Sequence, residues 1–258
     1  MIEGRGLTKS FGGIRALDSV DITVREGQLT GVIGPNGAGK TTLLNCLTGF
    51  YNPTSGSVVV EGMDVTRWQA NRQVSKYGMV RSFQNVRLLS ELDAVENVVL
   101  GAYRRRSYGL IRAILGRRKR FHQREADLAQ NLLMELGLDR EAWYRPVTGL
   151  SYGQRRLVEL ARMSAADPRY LLLDEPTAGM NEIGSKKLAG WLRGQVEMGI
   201  GVLLVSHDMP LVMENCDEVV VLNLGELLTR GTPEQIRDNP EVVSAYLGTN
   251  EGETLDGP

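Results

Sequence analysis

Hydrophobic and polar positions along the chain change period several times, and each change predicts an element. The start reads as short strands with turns, where Asp21 to Val24 and Gln28 to Ile33 flank the turn Arg25-Glu26-Gly27. The second of these strands runs into a glycine-rich loop and then a helical run, Lys40 to Leu47. Asn52-Pro53 and Ser55-Gly56 predict a turn, and Val58 to Glu61 and Gly78 to Phe83 predict further strands. From Asp93 to Leu136 the pattern is helical, with apolar residues at Val95, Val98, Val99 and Ala102 and again at Leu128, Leu132, Leu133 and Leu136. The alternation then resumes. It predicts a helix from Ser151 to Ala165, a buried strand from Tyr170 to Asp174, a helix from Ile183 to Met198, and strands at Gly201 to Ser206 and Glu218 to Leu222. Strands alternating with helices imply an α/β chain whose mainly parallel sheet is covered on both faces. The helical insertion predicts a separate lobe.

Composition narrows this picture. A chain of 258 residues fits one large α/β domain with subdomains, or two small domains. A net charge of −1 excludes a whole-chain match to nucleic acid or anionic membrane, so any such contact needs a local patch. One patch stands out: Arg104 to Arg124 holds nine Lys or Arg and no acid. Cys46 and Cys216 lack metal-ligand spacing and read as reduced thiols. Apolar runs such as Val219 to Leu222 and Leu171 to Leu173 are far short of the roughly 20 residues that cross a bilayer. Met1 to Phe11 lacks the long apolar stretch of a signal peptide. A role at a membrane would therefore be peripheral. Thr249 to Pro258 is polar, acidic and glycine-rich, and is expected to be a disordered tail.

Two motifs carry the chemistry. Gly34-Pro35-Asn36-Gly37-Ala38-Gly39-Lys40-Thr41 is a P-loop placed between a predicted strand and a predicted helix. Its glycines let successive N–H groups turn toward phosphate oxygens, and the helix N-terminus adds partial positive charge. Lys40 is expected to reach the β- and γ-phosphates, Thr41 to ligate Mg²⁺, and Thr42 to meet the α-phosphate. The complement is Leu171-Leu172-Leu173-Asp174-Glu175, an apolar strand ending in two carboxylates. There Asp174 is expected to bind Mg²⁺ through water and Glu175 to take a proton from the attacking water.

With these motifs the chain resembles the nucleotide-binding subunit of an ABC transporter over roughly residues 2 to 248. Leu150-Ser151-Tyr152-Gly153-Gln154 resembles the family's signature, usually Leu-Ser-Gly-Gly-Gln, with Tyr152 in place of a glycine. The resemblance implies that Ser151 and Gly153 contact the γ-phosphate held by a second cassette. It also implies that Gln84 is the Q-loop glutamine touching Mg²⁺ or the attacking water. His207 matches the histidine that contacts the γ-phosphate, and Phe11 the aromatic that stacks on adenine, worth about 1–3 kcal/mol by analogy with base stacking. The plain alternative for Phe11 is a core phenylalanine. Asn181 stands where the family often has the aspartate of the dimer-contacting D-loop. The fold implied is a P-loop NTPase (RecA-like) core with an N-terminal antiparallel β subdomain and a helical subdomain at about residues 86 to 165, all within one domain from 1 to 248.

A finer similarity points to the ATPase subunits of branched-chain amino-acid importers. It rests on Ser10-Phe11-Gly12-Gly13, Asn45 to Tyr51, Val80-Arg81-Ser82-Phe83-Gln84, and the end from Gly231 to Gly248. Related subunits serve urea, amide and lipopolysaccharide systems. A soluble ABC ATPase acting on DNA or ribosomes is the reading from another class, and the single cassette without sustained heptads argues against it. The resemblance implies ATP and Mg²⁺ as cofactors. As partners it implies permease subunits and a second cassette, but no nucleic acid. The expected location is cytoplasmic, peripheral on the inner face of the cell membrane. Anionic lipid is a further expected partner, through the basic stretch.

Overall fold

Three strands are buried at every position: β3 (Leu29–Ile33), β7 (Tyr170–Asp174) and β8 (Gly201–Val205). The computed structural model describes residues 1–83, 86–102 and 118–247, without the side chains of 74, 75, 118–122 and 247. Among these residues the three strands lie inside a six-stranded sheet of order β10-β9-β3-β8-β7-β6. Its other members are β6 (Met79–Arg81), β9 (Glu218–Asn223) and β10 (Glu226–Gly231). All pairings are parallel except β9 with β10.

The continuous apolar runs follow from coverage of both sheet faces. Alternate residues of one strand enter different cores. Leu171 and Leu173 join one cluster with Val202, Leu204, Val219 and Val221. Tyr170 and Leu172 join the other, with Leu203, Val205, Val220 and Leu222. The first cluster is covered by the helices Glu182–Glu197 and Met209–Asn215 and continues into the helices Ala94–Ala102, Arg118–Glu135 and Tyr152–Ala165. The second is covered by the helix Lys40–Leu47 and by an antiparallel sheet of order β2-β1-β4-β5. That sheet contains β1 (Ile2–Phe11), β2 (Ile14–Val24), β4 (Ser55–Val60) and β5 (Met63–Asp64). Each fully buried Leu or Val contributes about 1.5–3 kcal/mol. Gly31 is required in the central strand, because a Cβ there would come 2.8 Å from Cys216 Sγ. The two thiols are buried, which pushes Cys46 up to about 11 and Cys216 up to about 12.

The chain start differs from its sequence reading. In place of short strands it forms one long hairpin, β1 and β2, whose register shifts between Gly4 and Leu7 and again near Lys9. Those irregularities break the simple alternation that a strand shows in sequence. Ser55-Gly56 is also no turn: both residues begin β4, and Gly56 holds φ 87° where a Cβ would meet Gly6 O at 2.2 Å. The helical lobe packs as expected, with Val95 and Val98 buried and Val99, Leu128 and Leu132 half-buried against the same cluster. Gln84, residues 104 to 117 of the basic stretch, and the tail from Thr249 lie outside the described residues. No described helix is long and apolar enough to cross a membrane.

Candidate functional site

The carboxyl ends of β3 and β7, separated in the sheet by β8, bring the two motifs together. β3 runs into the loop 34–39, which Gly39 closes as a left-handed residue (φ 97°) at the N-cap of the helix Lys40–Leu47. Only glycine fits there, since a Cβ would lie 2.5 Å from Ala16 O. β2 of the hairpin thus presses directly on the loop. Lys40 Nζ donates to the carbonyls of Gly34 (2.6 Å) and Pro35 (3.0 Å). Burial lowers its pKa, while the carboxylates of Glu175 and Asp174 oppose that shift. The ammonium therefore feels both acids of the second motif. Asn36 and Gly37 are exposed at the loop tip, Ala38 is buried, Thr41 is exposed on the first helical turn, and Thr42 is half-buried.

Asp174 ends β7 with only 2% of its side chain exposed. Burial raises its pKa, and Arg81, Arg156 and Lys40 oppose the shift. Its backbone N–H donates to Ser82 Oγ at 3.0 Å. Glu175 follows with φ 49°, a conformation that costs a non-glycine residue on the order of 1–3 kcal/mol and gathers at functional sites. Contacts on its backbone and its side chain hold it. Its N–H donates to Val205 O at 2.9 Å, its carbonyl accepts from Arg156 Nη2 at 3.1 Å, and its Oε2 lies 2.7 Å from His207 Nδ1. His207 is 73% exposed, so the imidazole reaches from solvent over the carboxylate.

Ser151 caps the helix Tyr152–Ala165 in a capping box: Oγ accepts from Gln154 N–H, and the Gln154 side chain accepts from Ser151 N–H. A hydroxyl that accepts in a cap keeps its own proton free to donate outward. Tyr152 takes the family's glycine position without distorting the helix, because it stacks over Gly179. That residue is itself left-handed (φ 73°), and a Cβ on it would lie 2.7 Å from the Tyr152 ring. Ser151, Tyr152, Gly153, Met180, Asn181 and Lys187 border a pocket of about 420 Å³ whose lining includes no P-loop residue. Asn181 caps the helix Glu182–Glu197 by accepting from Gly184 N–H at 2.9 Å. An amide does this as well as the aspartate it replaces.

Phe11 is not a core phenylalanine. It is 43% exposed, edge-on to Tyr51 at 5.3 Å, with Lys9 Nζ 5.1 Å from its ring centroid. Two buried arginines were not singled out from the sequence. Arg156 is fully buried and links the carbonyls of Phe83 and Glu175 to the carboxylate of Glu159. Arg81 contacts Asp174. Arg81 stood in a stretch that carried a family similarity, and nothing local marked it as buried.

The donors around the P-loop suit a magnesium ion. Thr41 offers an exposed hydroxyl and Asp174 a carboxylate, hard oxygens of the kind Mg²⁺ takes alongside nucleotide phosphates. Lys40, the chain neighbour of Thr41, lies within electrostatic reach of the Asp174 carboxylate.

Comparison with known proteins agrees with this geometry. The ABC transporter family model matches residues 17–178, and a model described as branched-chain amino acid ATP-binding cassette transporter matches residues 226–252. The chain is 44% identical over 256 residues to the high-affinity branched-chain amino acid transport ATP-binding protein BraF of Pseudomonas aeruginosa, covering 96% of this chain and 98% of that protein. Among solved structures, an ATP-binding cassette of an ABC transporter superposes with TM-score 0.81 at 29% identity, covering 95% of this chain and 98% of the other. A dimeric bacterial ABC transporter cassette superposes at 0.78 with 26% identity, covering 90% and 99%. The chain belongs to the ABC transporter family, as one of its ATP-binding, ATP-hydrolysing cassettes.

Proposed function

We propose that this cassette powers a branched-chain amino-acid importer, hydrolysing Mg²⁺-bound ATP between two cassettes docked head to tail. The observation that supports it best is the Lys40 ammonium facing Asp174 and Glu175 while the signature pocket lies apart from the P-loop. One site then needs two chains. Lys40 and backbone N–H groups within residues 36–42 hold the phosphates, and Phe11 stacks on the base. Thr41 and Asp174 hold the magnesium ion, which when bound offsets phosphate charge. Gln84 is assigned to the same centre by resemblance to the family's Q-loop alone. Glu175 takes the proton of the attacking water, with His207 orienting its carboxylate. Ser151 and Gly153 of the facing cassette close over the γ-phosphate, and its loss releases the pair. The domain reading is a single cassette over 1–248 whose lobe at about 86–165 meets the permease.

The cargo and partner rest on similarity to BraF and on the match at residues 226–252. Isolating the chain from membranes and sequencing what accompanies it tests the partner. Uptake of labelled leucine against labelled urea, in cells whose chain carries Glu175→Gln, tests the cargo. Unimpaired leucine uptake there would discard the amino-acid assignment. Co-purification with nucleic acid and no integral membrane protein would favour the soluble class instead.

Gly153→Asp is expected to abolish hydrolysis while leaving ATP binding to the monomer nearly unchanged. A Cβ on Gly153 meets only Gly179 O, at 4.0 Å, so the isolated fold accommodates it. An acid in the first helical turn even favours the helix dipole. Its charge would face the partner's γ-phosphate. Equilibrium binding and turnover, measured side by side, separate the two roles. Weakened monomer binding would show that the signature serves its own P-loop.

We propose that the basic stretch adds affinity for the membrane and permease, each nearby Lys or Arg contributing about 1 kcal/mol toward anionic headgroups. Replacing Arg117, Arg118, Lys119 and Arg120 by glutamine is expected to weaken binding to anionic vesicles at low salt and to leave soluble ATPase turnover unchanged. Equal vesicle binding by the variant would reduce the stretch to a solvated face.

A further inference from the structure

Arg81 ends β6, the sheet's edge strand, three residues before Gln84. Its side chain is 7% exposed and its donors are spread over three segments of the chain. Nη2 lies 3.3 Å from Asp174 Oδ2. Nη1 donates to Asn45 Oδ1 at 2.5 Å and to Thr48 Oγ1 at 3.2 Å, both on the helix that Lys40 and Thr41 begin. Nε donates to Ser82 O at 3.2 Å. The rings of Phe50 and Phe83 each stand 5.3 Å from the guanidinium, sheltering it from water. Ser82, the next residue, accepts from the Asp174 N–H. The carboxylate of Asp174 is thus fastened to the helix that carries Thr41 through one planar cation.

Both side chains of this pair are shut away from solvent, so the guanidinium is the cation in direct contact with the Asp174 carboxylate. A lysine at position 81 would supply the charge, but its single ammonium has no fork to span Asn45, Thr48 and Asp174.

We infer that Arg81 is a positioning residue for the metal site: it sets the separation of the Asp174 and Thr41 donors, and its charge restrains the affinity of Asp174 for a divalent cation. The inference rests on the reading of Asp174 as the magnesium carboxylate. Two physical effects follow and have opposite signs. Removing the charge strengthens the pull of Asp174 on a cation, while removing the fork frees the carboxylate to leave its working orientation.

The test uses the full chain and a fluorescent ATP analogue titrated with MgCl₂. Arg81→Gln is expected to lower the Mg²⁺ midpoint of nucleotide binding by about threefold or more and to lower kcat by about tenfold. Arg81→Lys is expected to keep the parental Mg²⁺ midpoint and to lose turnover to the same degree. Circular dichroism melting establishes that each variant is folded. If Arg81→Gln does not fold, Arg81→Lys decides alone, since parental kcat in that variant overturns the inference. Unchanged Mg²⁺ midpoints with parental turnover in both variants also overturn it, leaving Arg81 a packing residue. Asp174→Asn serves as the reference. If it keeps the parental Mg²⁺ dependence, the metal reading of Asp174 itself fails. If it loses that dependence while Arg81→Gln shifts nothing, only the role of Arg81 fails.

Discussion

Glu175→Gln is expected to bind ATP with near-parental affinity and to hydrolyse it about 10²–10⁴-fold more slowly, the contribution typical of a positioned general base. The substitution is isosteric, so the contacts that fix residue 175 survive: its N–H still donates to Val205 O and its carbonyl still accepts from Arg156. The left-handed backbone (φ 49°) burdens glutamine and glutamate alike. What disappears is the basic oxygen 2.7 Å from His207 Nδ1. Because the block falls after binding, the same variant should accumulate as a closed ATP-bound dimer with Mg²⁺, visible by size-exclusion chromatography. Near-parental turnover in a preparation free of other ATPases would remove Glu175 from the base role.

Lys40→Ala is expected to lose nucleotide affinity and turnover together. A hydrogen bond to a charged group is worth about 1.5–3 kcal/mol, so losing one corresponds to roughly a tenfold to a hundredfold weaker Kd, with more lost if Lys40 bridges two phosphates. Neighbouring cations do not replace it, because Arg81 is committed to Asp174, Asn45 and Thr48, and Arg156 to Glu159 and two carbonyls. The fold should tolerate the change, since Lys40 is only half-buried and its own contacts are with the carbonyls of Gly34 and Pro35. Equilibrium binding of labelled ATP checks this, and unchanged affinity would mean that the loop is not the phosphate site.

Elements built from local patterns were legible in the sequence. The helix Lys40–Leu47 and the strand Tyr170–Asp174 have the predicted bounds, and the Ser151–Gln154 capping box marks the start of its helix. β10 was not legible, because as a half-exposed edge strand it shows no clean alternation. The helix Met209–Asn215 and the short C-terminal helices Pro233–Arg237 and Pro240–Leu247 were also missed. The second of these carried a signal that went unread: Thr232 and Gln235 form a capping box with Pro233 at the first helical position.

The sequence by itself determined the local elements from which this protein's site is built: a glycine-rich loop that opens a helix at Lys40, a strand that runs into two acids, and a capped helix that begins at a serine. Each depends on neighbours within a few residues, where backbone geometry follows from residue type. Only the tertiary structure decided which charges are buried and what they hold. Arg81 meets Asp174 across 93 residues and Arg156 meets Phe83 across 73, because the sheet places β7 between β6 and β8 and lays the helix Tyr152–Ala165 against their ends. Strand order is set by long-range packing of both sheet faces, to which local periodicity is blind, so an arginine that looks like a solvated surface charge in sequence becomes the cation of a buried carboxylate in the fold.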